Sequence, residues 1–380
     1  MKKSLLVLSL VLLVALALSA CGSQATETPT EPVVEAPTET EEPVATATEA
    51  PVEQPAWNAP EGALVALPVE AAPALDGVGD EAFWADAQEI VVPVSGGANM
   101  GSTDVHIKTV YTAEDIYFLV SYADPSESFF RSPWQKNEDG TWTKVTDPAD
   151  KGGDNNAVYE DKLAFIWPIN NSIPQFETAG CFIACHAGEN SDVKPYGNKY
   201  TANEGELGDI WHWKSVRTLG QVDDQYLDST RYSADTPEAG RHSDPNDGGG
   251  YVNNENEAKD APAFTSPAVD LTTGAPGFIL DSEKVALDQA AMDAMPAGSY
   301  VPGIIKSEFT GDRADISAGW VYADGAWTLE FGRKLVTGSE FDVQFEDLAA
   351  SYYFGVSVFD NAQVRHAFET GASMLVFQPK

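Results

Sequence analysis

Short stretches in which apolar and polar residues alternate occur toward both ends of the chain, and this period of two predicts β-strands. The predicted strands are 90–94, 105–111, 116–122, 163–167, 320–323, 327–331, 351–359 and 373–377. The turn Ala113-Glu114-Asp115 joins two of them into a hairpin, and Asp324-Gly325 is a strong signal for another. Because strands at both ends enclose an irregular middle, the pattern predicts a mainly β fold, an antiparallel β-sandwich with a large irregular insertion at about 170–300.

One stretch of this middle segment, from Asp209 to Thr218, predicts a short helix. Asp209 is a favourable N-cap, and Trp211 and Lys214 would share one helix face at i, i+3. Two interpretations are open. The tryptophans pack in a core beside a solvated lysine, or Lys214 is desolvated among the indoles, loses its proton and becomes a ligand.

The same predicted helix gives expectations for its other side chains. Trp213 and Arg217 would share another face at i, i+4, and an arginine there is suited to pair with a carboxylate. His212 is expected to point away from Lys214 and to lie near the surface.

The segment 241–262 is rich in Asp, Asn and Gly and has no periodicity, so it is predicted to be a long loop. Asp244, Asn246 and Gly248 are only faintly similar to a calcium-binding loop, because no bidentate Glu follows at the required spacing. A plain surface loop is the preferred interpretation.

The N-terminus predicts export. Residues 1–20 begin with two lysines, continue with an apolar run and end in small residues directly before Cys21. This arrangement resembles a bacterial lipoprotein signal peptide, in which Cys21 becomes the lipidated first residue. We therefore expect an extracytoplasmic protein held at the cell membrane by its lipid anchor alone.

Residues 21–62 predict an extended tether between that anchor and a domain at 63–380. The stretch from Ser23 to Trp57 contains eight Glu and no Lys or Arg, and it is rich in Pro and Thr. Such a composition cannot bury a core and stays solvated.

The formal net charge of −37 argues against nucleic acid and against an anionic membrane surface as partners. It is compatible with docking to a basic protein.

The candidate chemistry is concentrated in Cys181-Phe182-Ile183-Ala184-Cys185-His186. It differs by one residue from the C-x-x-C-H signature of covalent haem attachment, in which two thiols form thioethers and the histidine ligates iron. The alternatives are a Cys181–Cys185 disulfide with His186 at the surface, or, more weakly, a zinc site that would need two further ligands.

Two sets of residues resemble known protein families. Asp76-Gly77 followed by Trp84 resembles the opening of β-sandwich modules related to family 9 carbohydrate-binding domains, which are immunoglobulin-like in architecture. A second set of segments resembles the haem-binding subunits of ethylbenzene dehydrogenase and related enzymes of the dimethyl sulfoxide reductase type. These segments are Met100, 209–214, 331–335, 353–355 and 359–361.

The second resemblance implies a β-sandwich that binds one haem b and exchanges electrons with a redox partner such as a molybdopterin enzyme or another cytochrome. By that resemblance Met100 and Lys214 are the axial ligands. In the resulting haem hypothesis, Trp211 and Trp213 are expected to flank the macrocycle and Arg217 to pair with a propionate. Cys181, Cys185 and His186 are not part of that ligand scheme. They leave c-type attachment, with His186 as an alternative axial ligand, open beside the favoured b-type haem.

Two functions from different classes are therefore expected. The first is a haem-binding electron-transfer lipoprotein without substrate chemistry of its own. The second is a cell-surface module that binds carbohydrate or another small ligand, which would be colourless. No nucleophile–base order or phosphate-binding loop predicts an enzyme.

Overall fold

The computed structural model describes residues 57–151, 153–185 and 199–380. The predicted signal peptide, Cys21, nearly all of the predicted tether and His186 lie outside these ranges, so those assignments stay predictions. Ala63, the first residue of the predicted domain, is buried and directly precedes the first strand.

Strands dominate the described ranges, and helices are few and short. The strands are β1 (Leu64–Pro68), β2 (Ile90–Ser95), β3 (Ser102–Tyr111), β4 (Asp115–Ala123), β5 (Trp134–Lys136), β6 (Trp142–Lys144), β7 (Lys162–Pro168), β8 (Gly208–Lys214), β9 (Asp223–Leu227), β10 (Arg241–Ser243), β11 (Gly248–Asn253), β12 (Phe264–Thr265), β13 (Ile279–Leu280), β14 (Val285–Ala286), β15 (Tyr300–Val301), β16 (Ile304–Thr310), β17 (Ser317–Ala323), β18 (Ala326–Lys334), β19 (Tyr352–Phe359), β20 (Ala367–Phe368) and β21 (Ser373–Phe377). The α-helices are α1 (Ala82–Asp86), α2 (Phe176–Ala179), α3 (Cys181–Cys185) and α4 (Gln289–Ala294), and 3-10 turns cover Ile169–Asn171, Asp281–Glu283 and Asp312–Ala314.

Within the part of the chain that the structure describes, thirteen strands form one sheet. Its order is β10-β9-β8-β7-β19-β20-β2-β3-β4-β18-β17, and β1 and β21 form a second link between β3 and β19. The two halves of the sheet face each other across the main core. Phe118 of β4 contacts Phe165 of β7 and Trp211 of β8, with ring centroids 6.0 and 5.5 Å apart. The predicted mainly β, antiparallel sandwich is confirmed.

Each predicted strand coincides with a strand of the structure. The first predicted hairpin is β3–β4, paired from Val105 opposite Tyr122 to Tyr111 opposite Ile116. The second is β17–β18, where Asp324 and Gly325 both have positive φ, 53° and 78°. Two consecutive residues with positive φ give the turn twist that matches paired strands, which is why Asp-Gly signals it.

The predicted helix at 210–218 is wrong, because this segment is strand β8. It is paired on both sides, with Ile210 opposite Ile166 of β7 and opposite Gln225 of β9. All seven of its residues are buried, so both faces of the strand carry residues suited to a core. In the sequence, such a run resembles the single apolar face of a helix. Long-range pairing therefore overrides the local helix signal. Asp209 does not cap a helix: its carboxylate accepts a hydrogen bond from the Val343 backbone, 2.9 Å away.

The predicted insertion at about 170–300 is irregular only in part. Strands β8, β9 and β10 come from it and extend the main sheet. The rest contributes β11 to β14 and connecting loops, and small sheets join these strands and β15 to β5, β6 and β16 from outside the segment, in the orders β11-β16-β13, β12-β14 and β15-β5-β6.

None of the helices in the described ranges is long and apolar enough to cross a membrane.

Candidate functional site

The site lies on β7 and β8, whose side chains alternate between two environments. Phe165, Trp211 and Trp213 point into the main core between the two halves of the sheet. The opposite face, here called the outer face, carries Ala164, Ile166, Ile210, His212 and Lys214. Helices α2 and α3 pack on part of this outer face through Phe176, Cys181 and Ala184.

A glycine allows α3 to approach the sheet closely. A Cβ atom added to Gly355 of β19 would lie 2.9 Å from the Cβ of Cys181, which is closer than real Cβ contacts. Because glycine lacks that atom, Cys181 sits directly against the strand. The site geometry therefore depends on a residue without a side chain.

Beside α3 the outer face opens into a small cleft with a cavity volume of about 50 Å³. Its apolar floor is formed by β7, β8 and β19. The chemically active side chains on its wall are Cys181, Cys185, Lys199, His212, Arg241 and His366. Two thiols, two imidazoles and two cations thus meet in one concave surface.

The two cysteines occupy positions i and i+4 of α3, so they project from the same side of the helix. The structure does not join them in a disulfide, although a disulfide is one of the alternatives that the sequence predicts. Burial, followed by the neighbouring Cys185 and Glu369, raises the pKa of the Cys181 thiol. A thiol with a raised pKa is a poor nucleophile, which argues against a thiol-exchange site.

His212 has the most informative hydrogen bonding in the cleft. Its Nδ1 lies 3.2 Å from Gln225 Oε1, and the same oxygen accepts from Arg241 at 3.2 Å. Because a carbonyl oxygen only accepts, Nδ1 must carry the proton and Nε2 must hold a lone pair. Nε2 is buried and has no hydrogen-bond partner within the described ranges.

The protonation state of His212 follows from its surroundings. Burial holds its pKa well below the ordinary value, and the charges that lower it further belong to Lys214, Lys162, Lys199 and Arg241. The imidazole is therefore neutral at physiological pH. A neutral imidazole whose other nitrogen donates to an oxygen is the form in which histidine ligates metals.

Lys199 and Arg241 bring two cations to the cleft, in a chain whose formal net charge is −37. Burial, followed by Arg241, lowers the pKa of Lys199 to about 8. Arg241 donates to Gln225 and, at 2.8 Å, to Glu238. A ligand with carboxylate groups would meet favourable charge here.

His366 supplies the second imidazole. Its Nδ1 lies 3.0 Å from the Val364 carbonyl oxygen. Its ring centroid lies 4.7 Å from that of Phe359, which in turn lies 5.6 Å from that of His212. The two histidines therefore flank one aromatic ring.

The structure places the predicted tryptophans and lysine differently from the helical assignment. Trp211 and Trp213 belong to the main core and do not line the cleft. Lys214 shares the outer face with His212, but it forms a fully buried ion pair with Asp223. Asp223 also accepts from Arg313 at 2.6 Å. Burial lowers the pKa of Lys214, and the negative charge of Asp223 opposes that shift.

The other predicted residues also lie away from the cleft wall. Met100 lies between β2 and β3, packs partly buried against the main core, and its backbone N–H donates to the Asp360 carboxylate. Arg217 forms a buried ion pair with Glu160. The structure thus brings Cys181 and Cys185 together in the cleft and places neither Met100 nor Lys214 on its wall.

Sequence reasoning missed His212, Lys199 and Arg241 as cleft residues. The signal for His212 was present, because a period of two over 208–214 puts it on the same face as Lys214. No local signal identifies Lys199 or Arg241, which the fold brings together from distant segments.

A family model described as ethylbenzene dehydrogenase matches residues 81–370. The chain belongs to the ethylbenzene dehydrogenase family. The matched range runs from the segment that precedes α1 into the loop after β20, and it contains every cleft residue named above. The resemblance drawn from the sequence is therefore confirmed at the level of the family.

Comparisons with curated proteins give no match. Among solved structures, the chain is similar to a family 9 carbohydrate-binding module from Caldicellulosiruptor kristjanssonii in complex with cellotriose. The TM-score is 0.31 at 8% identity, covering 83% of this chain and 94% of that one. For the same organism's module in complex with glucose, the TM-score is 0.30 at 8% identity, covering 83% and 95%.

Proposed function

We propose that this member of the ethylbenzene dehydrogenase family binds one haem in the cleft and acts as an electron-transfer protein without substrate chemistry of its own. The observation that carries the proposal is His212. It is a buried, neutral imidazole on the cleft wall whose Nδ1–H is fixed by Gln225 and whose Nε2 lone pair has no partner within the described ranges. Haem supplies one-electron redox chemistry when bound.

The remaining cleft residues would supply further contacts to the same group. Lys199 and Arg241 would hold its propionates by charge, and the apolar floor would exclude water from its ring. In the alternative c-type attachment, Cys181 and Cys185 of α3 would form the thioethers.

We assign His212 as an iron ligand in place of Lys214. Lys214 would have to leave Asp223 and lose a proton before its amine could ligate, which would leave a buried carboxylate short of a partner. The Met100–Lys214 pair implied by the family resemblance is the rival arrangement.

We further infer an extracytoplasmic location with a lipid anchor at Cys21, and a redox partner protein such as a molybdopterin enzyme or another cytochrome. Both rest on the sequence: the signal peptide followed by cysteine, and the family membership.

The carbohydrate-binding alternative would rely on exposed aromatic side chains, and the tryptophans contribute little to such a surface. All nine tryptophans lie within the described ranges, and Trp57, at 43% exposure, is the one that is largely open to solvent. The others are buried or half-buried in packing roles.

The test is an absorption spectrum of the full chain produced in an export-competent host with haem available, followed by acid–acetone extraction. A Soret band with low-spin α and β bands is expected. Haem that extracts is b-type, and haem that stays on the polypeptide is attached through Cys181 and Cys185. A colourless protein that also fails to bind added haemin refutes the proposal and favours the ligand-binding module.

Variants then decide the ligand. His212→Ala should lose the low-spin spectrum, whereas Lys214→Met and Met100→Leu should keep it. The matched control is His242→Ala, because His242 lies on strand β10 at the edge of the same sheet, stacks on Tyr226 and does not line the cleft. A normal spectrum in His212→Ala and a changed one in Lys214→Met or Met100→Leu would instead establish the rival pair.

A further inference from the structure

A second site-like cluster lies on the other face of β8, away from the cleft. Asp209 of β8, Asp224 of β9 and Asp342 of the loop between β18 and β19 are all buried, and their nearest carboxylate oxygens lie within 4.8 Å of one another. Asp244, which follows β10, is also buried and approaches Asp342 closely enough for the two carboxyls to share a proton. These four residues are called the aspartate cluster.

Most of the oxygens in the aspartate cluster lack donors. Asp209 Oδ2 accepts from Trp211 Nε1 at 3.0 Å and from Val343 at 2.9 Å, and Asp342 Oδ2 accepts from Thr337 at 2.5 Å. The other oxygen of each has no hydrogen-bond partner within the described ranges, and the same holds for both oxygens of Asp224 and both of Asp244.

The guanidinium of Arg333 is a cation within the aspartate cluster, but its single charge does not balance the four carboxylates. Arg333 lies 3.3 Å from both Asp209 and Asp342, and among the described residues no ion pair joins it to Asp224 or Asp244. Four buried carboxylates with one guanidinium leave a net charge of about −3 when ionised, which burial does not tolerate without protons or a metal.

A second acidic group shows the contrast. Asp124, Asp161 and Asp360 also cluster, but Asp161 accepts from the backbone of Ser128 at 2.6 Å and of Asn361 at 2.9 Å. There the protein itself supplies donors to the central carboxylate. In the aspartate cluster, Asp224 has none in the part of the chain that the structure describes.

We propose that the aspartate cluster is a calcium site that ties β8 and β9 to the segment after β10 and to the loop that contains Asp342. Unpartnered oxygens support it: one each from Asp209 and Asp342 and both from Asp224, with the Asp244 carboxylate beside Asp342. Ca²⁺ takes about 6–8 oxygen ligands at about 2.3–2.6 Å, so oxygens on opposite sides of the ion lie about 4.6–5.2 Å apart. The separation within 4.8 Å matches that span. A donor set of carboxylates alone selects a hard cation over zinc or copper.

The experiment uses the purified full chain after EDTA treatment and titrates it with CaCl₂ by calorimetry at pH 7. We expect one Ca²⁺ per chain and a higher midpoint of thermal unfolding in Ca²⁺ than in EDTA. Asp224→Asn should weaken Ca²⁺ binding by more than about 10-fold, the loss that even outer-shell changes cause. Glu114→Gln, which removes an exposed carboxylate on the turn between β3 and β4, should change nothing.

A second measurement keeps the proposal falsifiable when Asp224→Asn does not fold. Trp211 donates to Asp209, so excitation of its indole should sensitise Tb³⁺ luminescence at this site, and Ca²⁺ should quench it by displacement. Absence of calorimetric binding together with absence of sensitised luminescence in the wild type overturns the proposal. So does binding that Asp224→Asn leaves unchanged. Neither result decides whether the chain binds the proposed haem, which is assayed separately by its spectrum.

Discussion

Arg217→Met tests whether Arg217 has a structural role or pairs with a propionate of the proposed haem. The structure pairs its guanidinium with the fully buried carboxylate of Glu160, which also accepts from the backbone N–H groups of Val216 and Arg217, both at 3.0 Å. The variant leaves Glu160 as a buried charge without its ion-pair partner. Removing one partner of a buried pair costs about 3–5 kcal/mol. Because the two backbone donors remain, we expect the lower end, about 3 kcal/mol.

The pH dependence of this loss has a definite sign. Burial alone would raise the pKa of Glu160, but the charge of Arg217, followed by Lys162, outweighs burial and holds the pKa below its ordinary value. Glu160 in the wild type therefore contributes stability that is present above the ordinary carboxyl pKa and is lost as the pH falls through the lowered one. In Arg217→Met burial dominates and the pKa rises, so Glu160 takes up a proton on mild acidification.

The free-energy difference between wild type and variant should thus be largest at neutral pH and shrink toward about pH 4, near the ordinary carboxyl pKa. Urea unfolding at several pH values measures it, and haem content of the folded protein is read in parallel. The control is Arg231→Met, which removes an exposed arginine stacked on Tyr200 and should cost less than about 1 kcal/mol. A loss at pH 7 below that of the control, or a difference that grows on acidification, would refute the reasoning. A folded variant that has lost its haem would restore Arg217 as a propionate partner.

Three further predictions concern the two faces of β8 and the seat of α3. Trp213→Ala should cost about 3–5 kcal/mol in unfolding free energy, because Trp213 fills the main core against Trp320 and Trp327, yet it should leave the haem spectrum of the folded protein unchanged. Gly355→Ala should destabilise by about 1–3 kcal/mol and disturb the attachment or retention of haem, because the added Cβ pushes α3 away from β19. Gln225→Leu should release the proton on Nδ1 of His212 from its acceptor, which ¹⁵N NMR of the imidazole detects as a mixture of tautomers.

Each has a matched comparison. Trp142→Ala removes a half-buried tryptophan and should cost less than Trp213→Ala; a haem spectrum altered by Trp213→Ala would place that residue at the macrocycle instead. Gly101→Ala adds a Cβ that meets nothing within 4 Å, so a cost equal to that of Gly355→Ala would contradict the packing argument. In the NMR spectrum of Gln225→Leu, His242 serves as the internal reference, and an unchanged His212 signal would show that Gln225 does not fix the tautomer.

The β-sandwich could be predicted from the sequence because the strands near both ends of the chain are recognisable from their own residues. A strand such as β4 has a period of two, and the Asp324-Gly325 turn specifies its own backbone geometry. These features need no knowledge of what the strand pairs with. The same local signals therefore sufficed for both hairpins and for the fold class.

The middle of the chain failed for the opposite reason. Strand β8 lies between β7 and β9 and is buried on both faces. Residues that face the core alternate with residues that face the cleft, but all of them are suited to burial. The sequence therefore shows no alternation of apolar and polar residues. The helical assignment then put Trp211 beside Lys214 and turned His212 away from it. Long-range pairing decides this region, and no local pattern reports it.

Because β8 is a strand, its two faces contribute side chains to different parts of the protein. On one face, Asp209 contributes a carboxylate to the aspartate cluster, and Trp211 and Trp213 contribute indoles to the main core. On the other face, His212 lines the cleft and Lys214 pairs with Asp223. A cation that fixes Asp209 would therefore hold the backbone that presents His212 from the other side. Loss of Ca²⁺ should then loosen the cleft as well as the sheet edge. The aspartate cluster and the cleft are coupled because successive side chains of β8 point alternately to one and to the other.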